Sequence, residues 1–207
     1  QSPKPIFCRF SVLSQAQEKI IRQYSIIAIQ AIVSVIIPLL PPEHLEQLKS
    51  LFAQALTNEP DFLLRRNICE AIIKFPSESW PDLGNFATQL LSNEQLNSTG
   101  IYLWQLICDA IQEDLSQHPQ IGPFLLEVSK NAMICPDPEI RIYGIKLMDH
   151  TLLLKFDFSE LAEELIQTFQ LSLQAAFYES RIEEEARAIC DLLSNQLLKI
   201  NVCFECY

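Results

Sequence analysis

The run Ile68-Cys69-Glu70-Ala71-Ile72 returns as Ile107-Cys108-Asp109-Ala110-Ile111. Looser copies follow at Leu147-Met148-Asp149 and at Ile189-Cys190-Asp191-Leu192-Leu193, and Ala28-Ile29-Gln30-Ala31-Ile32 falls in phase ahead of them all. The five anchors begin at residues 28, 68, 107, 147 and 189, so they step by 40, 39, 40 and 42. A period near 40 holds room for one pair of helices. Such a pair cannot bury its own apolar faces, so successive pairs must stack on one another. The five anchors are therefore expected at equivalent, buried places.

Between the anchors the apolar residues recur with the period of a helix. Leu45, Leu48, Leu51, Phe52 and Leu56 share one face over 43–57, and Leu64, Ile68, Ala71, Ile72 and Phe75 do so over 61–75. Leu161, Leu165, Ile166, Phe169, Leu173 and Ala176 do the same over 159–177. Similar runs cover 16–37, 81–92, 99–113, 120–133, 139–154 and 181–200, which makes nine expected helices. Only 4 glycines occur in 207 residues, far too few for the tight turns of an all-β chain. The same scarcity excludes a glycine-rich phosphate loop and a dinucleotide fingerprint. The 12 prolines sit between apolar runs, where they punctuate helices.

The pattern predicts an all-α fold, a HEAT-repeat α-solenoid of antiparallel helix pairs. Residues 1–207 are expected to form a single array of about 4.5 repeats, over 16–57, 61–92, 99–133, 139–177 and 181–200. HEAT is favoured over armadillo by Asp137-Pro138-Glu139-Ile140-Arg141, which looks like the start of a HEAT first helix, with Arg22 and Arg65 near the same phase. No glycine recurs between paired helices, as armadillo repeats require. Gln1 suggests a fragment of a longer solenoid, and no signal peptide is evident.

The formal charge is −11, from 15 basic and 26 acidic residues. That balance is the reverse of a free nucleic-acid binder and favours basic partners. Acidity concentrates in 137–207, where 13 acids face 6 bases. The seven cysteines form an odd set, and Cys69, Cys108 and Cys190 lie in apolar runs. They read as buried, reduced core residues in a reducing compartment. Residues 23–42 carry no charge, close to the ~20 needed to span a bilayer. Gln23, Ser25, Gln30 and Ser34 interrupt the run and prolines end it, so a wholly buried helix is expected there, and no membrane.

Site chemistry is sparse. His44, His118 and His150 are scattered, so no metal site and no cofactor are expected. Cys203-Phe204-Glu205-Cys206 stands alone and reads as a helix end rather than half of a zinc site. Glu183-Glu184-Glu185 opens a helix, where the macrodipole favours acids, and reads as solvated surface or as a contact for a basic partner. Trp80 is expected to fill the gap between helices, and Asn97-Ser98-Thr99 matches a glycosylation acceptor that the free cysteines argue against. No nucleophile–base pair is visible, so an enzyme is not expected.

One stretch goes further. Pro42-Glu43 leads through Lys49-Ser50-Leu51-Phe52 to Glu59-Pro60, then Leu64-Arg65-Arg66, then Trp80-Pro81-Asp82-Leu83. This order resembles the early repeats of importin-beta-type nuclear transport receptors, over about 16–155. Arg22-Gln23 resembles that family's Arg-Gln before an apolar run. The resemblance implies a protein-binding receptor working between cytoplasm and nucleus. Its partners would be the small GTPase Ran in its GTP form, basic protein cargo, and nucleoporins, with no direct contact to nucleic acid. It also implies that second helices line the partner-binding face. The residues carried over are Glu43, Glu46, Gln47, Asp82, Asn85 and Gln89 for Ran, and Glu160, Glu163 and Glu164 for cargo. The alternative is a generic HEAT scaffold subunit of another assembly.

Overall fold

The computed structural model describes the backbone of residues 4–115, 120–154, 162–178 and 182–204. It describes the side chains of 9–110, 120–154, 163–176 and 183–194. The chain is all-helical, with no strand among the described residues. In order the helices are α1 (Lys4–Leu13), α2 (Lys19–Ile36), α3 (Pro42–Asn58), α4 (Phe62–Ile72), α5 (Leu83–Leu91), α6 (Asn97–Leu115), α7 (Ile121–Met133), α8 (Pro138–Leu152), α9 (Ala162–Tyr178) and α10 (Ile182–Phe204). Nine coincide with the nine runs of apolar periodicity. The tenth, α1, falls outside those runs, and it buries Phe10.

The fold divides into two compact units, residues 1–106 and 107–207, with the division inside α6. In the first unit α1 packs on α2 and α3, and both α2 and α3 pack on α4. In the second, α7 packs on α8 and α9, and both α8 and α10 meet, as do α9 and α10. Within each unit some helices meet both the next one and the next but one, as α1 does with α2 and α3 and α7 with α8 and α9. Close approach is built in where glycine stands on a helix. Gly84 of α5 lies under the Trp104 ring of α6, and Gly100 lies against Leu91 and Ala87. A Cβ on Gly144 of α8 would come 2.6 Å from the Ala132 Cβ and 2.9 Å from the Met133 backbone nitrogen.

At the starts of α4 and α8 an acid and an arginine stand four residues apart. Asp61 caps α4 by accepting from the Leu64 N–H, and Asp137 caps α8 by accepting from the Glu139 N–H. Arg22, Arg65 and Arg141 each donate from Nη1 to a carbonyl six residues back, at Ala16, Glu59 and Cys135. Two of them also grip a carboxylate with the Nε–Nη2 edge of the guanidinium. Arg22 holds Glu59 at 2.8 and 3.0 Å, and Arg141 holds Glu185 at 2.6 and 3.0 Å. The second pair is almost dry, with side chains 1% and 2% exposed. Glu185 is therefore not part of a solvated acidic run. Only Glu183 and Glu184 of that run are exposed, because a helix turns Glu185 inward beside Ile189 and Leu192.

Side chains 40 residues apart also meet. Gln30 of α2 donates to Glu70 of α4 at 2.8 Å, and Tyr102 of α6 donates to the other oxygen of Glu70 at 3.0 Å. Gln30 and Glu70 are the third residues of their anchor runs. Burial, together with that carboxylate, pushes the Tyr102 hydroxyl up to about 12.

Four of the five anchors, Ile68, Ile107, Leu147 and Ile189, are buried as expected. Ala28 is exposed. It lies on the far side of α2, whose covered side carries Ser25, Ile26, Ile29 and Val33. The expectation of a wholly buried helix fails for the same reason. Lys19–Leu39 is long and apolar enough to cross a membrane, with mean hydropathy 1.9, yet only 28% of it is buried. Ile20, Tyr24, Ile27, Val35 and Leu39 are exposed. A second correction concerns cysteine. Cys69 and Cys108 are buried and free, whereas Cys190 is free and exposed. Cys190 sits one residue off the stripe Glu185–Ile189–Leu192 that α10 buries. Cys203 has no described side chain, and Cys206 lies outside the described residues.

Two outcomes follow from this packing. Gly144→Ala should lose about 1–3 kcal/mol in chemical unfolding, the opposite sign to the gain of about 1 kcal/mol usual for such a change inside a helix. Thiol labelling of the native chain should be fast at Cys190 and slow at Cys69 and Cys108. Burial raises the Cys69 thiol far above the usual range and pushes Cys108 up to about 12. Equal labelling rates at the three would contradict the packing.

Candidate partner-binding groove

The start of α3 is set by Pro42 at its first position, with Glu43 in the first turn. Leu48, Phe52, Ala55 and Leu56 turn inward. This leaves Glu46, Gln47, Ser50 and Gln54 on the exposed side. Along α5 the spacing of Asp82, Asn85 and Gln89 puts all three on one exposed face, while Ala87 and Leu90 are buried.

These two polar faces meet. Glu46, Asp82, Asn85 and Gln89 line one depression of about 250 Å³, with Lys49 and Ser50 on the α3 side and Trp80 and Phe86 below. Glu46 also reaches a second depression of about 570 Å³, lined by Gln47 of α3 and by Ser11 and Val12 of α1. Glu43 is exposed and lines neither.

Beneath the groove runs a ladder of aromatic rings. Phe10 lies 5.2 Å from Phe52, Phe52 meets Phe75 edge-on at 5.7 Å, and Phe75 meets Trp80 edge-on at 5.4 Å. Trp80 then stacks on Phe86 at 5.9 Å. Trp80 is buried, so it fills the gap between helices as expected, and one side of it also reaches the groove. Such pairs are worth about 0.5–1.5 kcal/mol each beyond area burial, which makes this floor stiff.

Lys49 is the residue that the sequence reading missed. Its stem is buried and its Nζ donates to Glu46 Oε1 at 2.5 Å. The groove is therefore not a plain acidic stripe. One acid is answered by a lysine, Asp82 is exposed, and two side-chain amides offer both donors and acceptors. The signal was present in the sequence, since Lys49 follows Glu46 by three residues on one helix face.

The acids of α9 sit in the second unit. Glu160 lies outside the described residues. Glu163 is exposed. Glu164 accepts from Lys130 Nζ at 2.7 Å, and the same Nζ lies 2.8 Å from Glu127. Burial pulls the Lys130 ammonium down, but its hydrogen bonds to Glu127 and Glu164 outweigh that and raise it. The lysine in turn holds the Glu127 carboxyl below its ordinary value. Asn97 of the Asn97-Ser98-Thr99 triplet donates to the Leu91 carbonyl, and Thr99 is fully buried, so the triplet serves the start of α6. Among the described residues no cluster of His, Cys, Asp and Glu could hold a metal ion.

No model of a known protein family matches the chain, and no curated protein matches it.

The triad on α7 and α9 has a pH consequence. A carboxylate whose folded pKa is lowered stabilises the fold above its unfolded value, and that contribution is lost as pH falls through the lowered value. In Lys130→Met, Glu127 should titrate at or near its ordinary value in an NMR pH series, and acid unfolding should begin at higher pH than in the parent chain. An unchanged Glu127 titration would contradict the pairing.

Proposed function

We propose that this chain is part of a HEAT-type helical-repeat protein that binds other proteins, and that it acts as a nuclear transport receptor of the importin-beta class. The observation that carries the reading is the groove between α3 and α5. Glu46, Asp82, Asn85 and Gln89 were singled out through the family resemblance at two places nearly 40 residues apart, and they line one depression. The recurring arginine bonds at residues 22, 65 and 141 and the contact of Gln30 with Glu70 support the repeat reading.

In this reading the groove takes Ran in its GTP form. Asp82 attracts a basic side chain, Asn85 and Gln89 hydrogen-bond polar groups, and the Trp80–Phe86 floor packs an apolar one. Glu163 and Glu164 on α9 attract basic cargo, and an incoming lysine or arginine must displace Lys130 from Glu164. No catalytic step belongs to this function, and the chain works in cytoplasm and nucleus. A second reading, a scaffold subunit of another assembly, keeps the groove and loses Ran. The Glu46–Lys49 pair favours it, because it halves the acidity offered to a strongly basic surface.

Capture of the full chain on Ran loaded with GTP or GDP separates the two. The receptor reading expects retention with GTP only, weakened about tenfold or more by Asp82→Lys combined with Gln89→Ala. Retention should also fall with added salt, since the charges that steer it are exposed. Equal retention on both nucleotide forms, or none on either, would leave the scaffold reading.

A further inference from the structure

We propose that the exposed face of α2 is the contact through which two copies of this chain pair. The face comprises Tyr24, Ile27, Ala28, Ala31, Ile32 and Val35, all exposed. It lies opposite the covered residues Ile26, Ile29 and Val33, and no charge falls anywhere in 23–42. Contiguous apolar patches of a few hundred Å² on a folded chain are often functional.

The order of side chains permits a second copy as the partner. Each member has a counterpart at the same distance on the other side of a point between Ile29 and Gln30. Ala28 answers Ala31, Ile27 answers Ile32, and Tyr24 answers Val35. A two-fold axis through that point lays one α2 antiparallel across a second, with each residue on its counterpart. This is what an isologous contact requires. The rows 24–28–32 and 27–31–35 are both four-residue ridges, and the axis exchanges them. Ridges of that kind interdigitate at a crossing angle of about −50°. The two alanines stand at the crossing point, where the helix axes come closest, and the larger side chains flank them.

The area is sufficient. Tyr24 is 69% exposed, Val35 66%, Ile27 45% and Ile32 37%. Tyr24 contributes most of a ring that can bury about 150–250 Å², and complete burial of the face in both copies reaches on the order of 1,000 Å², the lower bound of a specific interface. A bilayer surface suits the face less well. Interfacial helices carry lysine and arginine on their polar side, whereas this chain has a net charge of −11, and Arg22 of α2 is committed to Glu59.

Sedimentation or light scattering of the full chain at tens of micromolar decides the matter. The wild type should show twice the protomer mass of 23.7 kDa. Ala28→Glu and Ala31→Lys should each be monomeric with unchanged helicity, since both positions are open to solvent in the protomer. Because the axis sets residue 28 of one copy on residue 31 of the other, mixing the two variants in equal amounts should restore the dimer. A monomeric wild type overturns the proposal. If that monomer sediments with phosphatidylcholine–phosphatidylserine vesicles, the face belongs to a bilayer instead. A dimer that survives both substitutions places the contact elsewhere and overturns it equally.

Discussion

Arg141 enters the second unit at the start of α8 and finds both its ends spoken for. One guanidinium edge lies on the two oxygens of Glu185, and Nη1 meets the carbonyls of Cys135 and Pro136. The loop before α8, α8 itself and α10 are thereby fixed at one point. Arg22 does the same in the first unit, joining the carbonyls of Ala16 and Gln17 to Glu59 and hence α2 to the turn between α3 and α4. A fork of donors matched to a carboxylate sets direction as well as distance. Apolar packing drives the helices together, but it is tolerant of small slips. The arginine forks are not, and they sit in the first turns of α2 and α8.

The groove inherits its shape from this arrangement. Its two walls, α3 and α5, are separated in sequence by α4, whose start is held by Asp61 and Arg65 and whose end delivers Phe75 to Trp80. Asp61 also pairs with Lys19 of α2, and that lysine holds the carboxyl below its ordinary value. The polar rim of the groove therefore stands on a rigid aromatic floor, and the floor on a capped helix. Side chains placed on such a scaffold have little freedom left to lose.

Much of this was legible in the residues. The helical period of the apolar residues located nine helices, and Asp137 with Arg141 marked a helix start that the structure caps and clamps at those residues. What the sequence hid was the direction of side chains near the edges of each packed stripe. Cys190 and Ala28 share their neighbours' apolar context, yet each lies outside the arc its helix buries. Glu185 looks like one acid among three, and only the rotation of α10 toward Arg141 sets it apart. The groove was half visible. Glu46, Asp82, Asn85 and Gln89 could be picked as polar faces of second helices, but Lys49 and the aromatic floor depend on which helices lie side by side. Periodicity reports which face of a helix is apolar. It does not report what that face will meet.

The claim that the arginine forks fix the helix starts is tested most directly by a double-mutant cycle at the drier pair. Urea unfolding would be measured for Arg141→Met, Glu185→Leu and the double variant. Each single change strands a buried partner and should cost about 3–5 kcal/mol. The double variant removes both and should cost less than the sum of the singles by about 2 kcal/mol or more. Single costs that add to within about 0.5 kcal/mol would mean that the two side chains do not depend on each other, and would contradict the account.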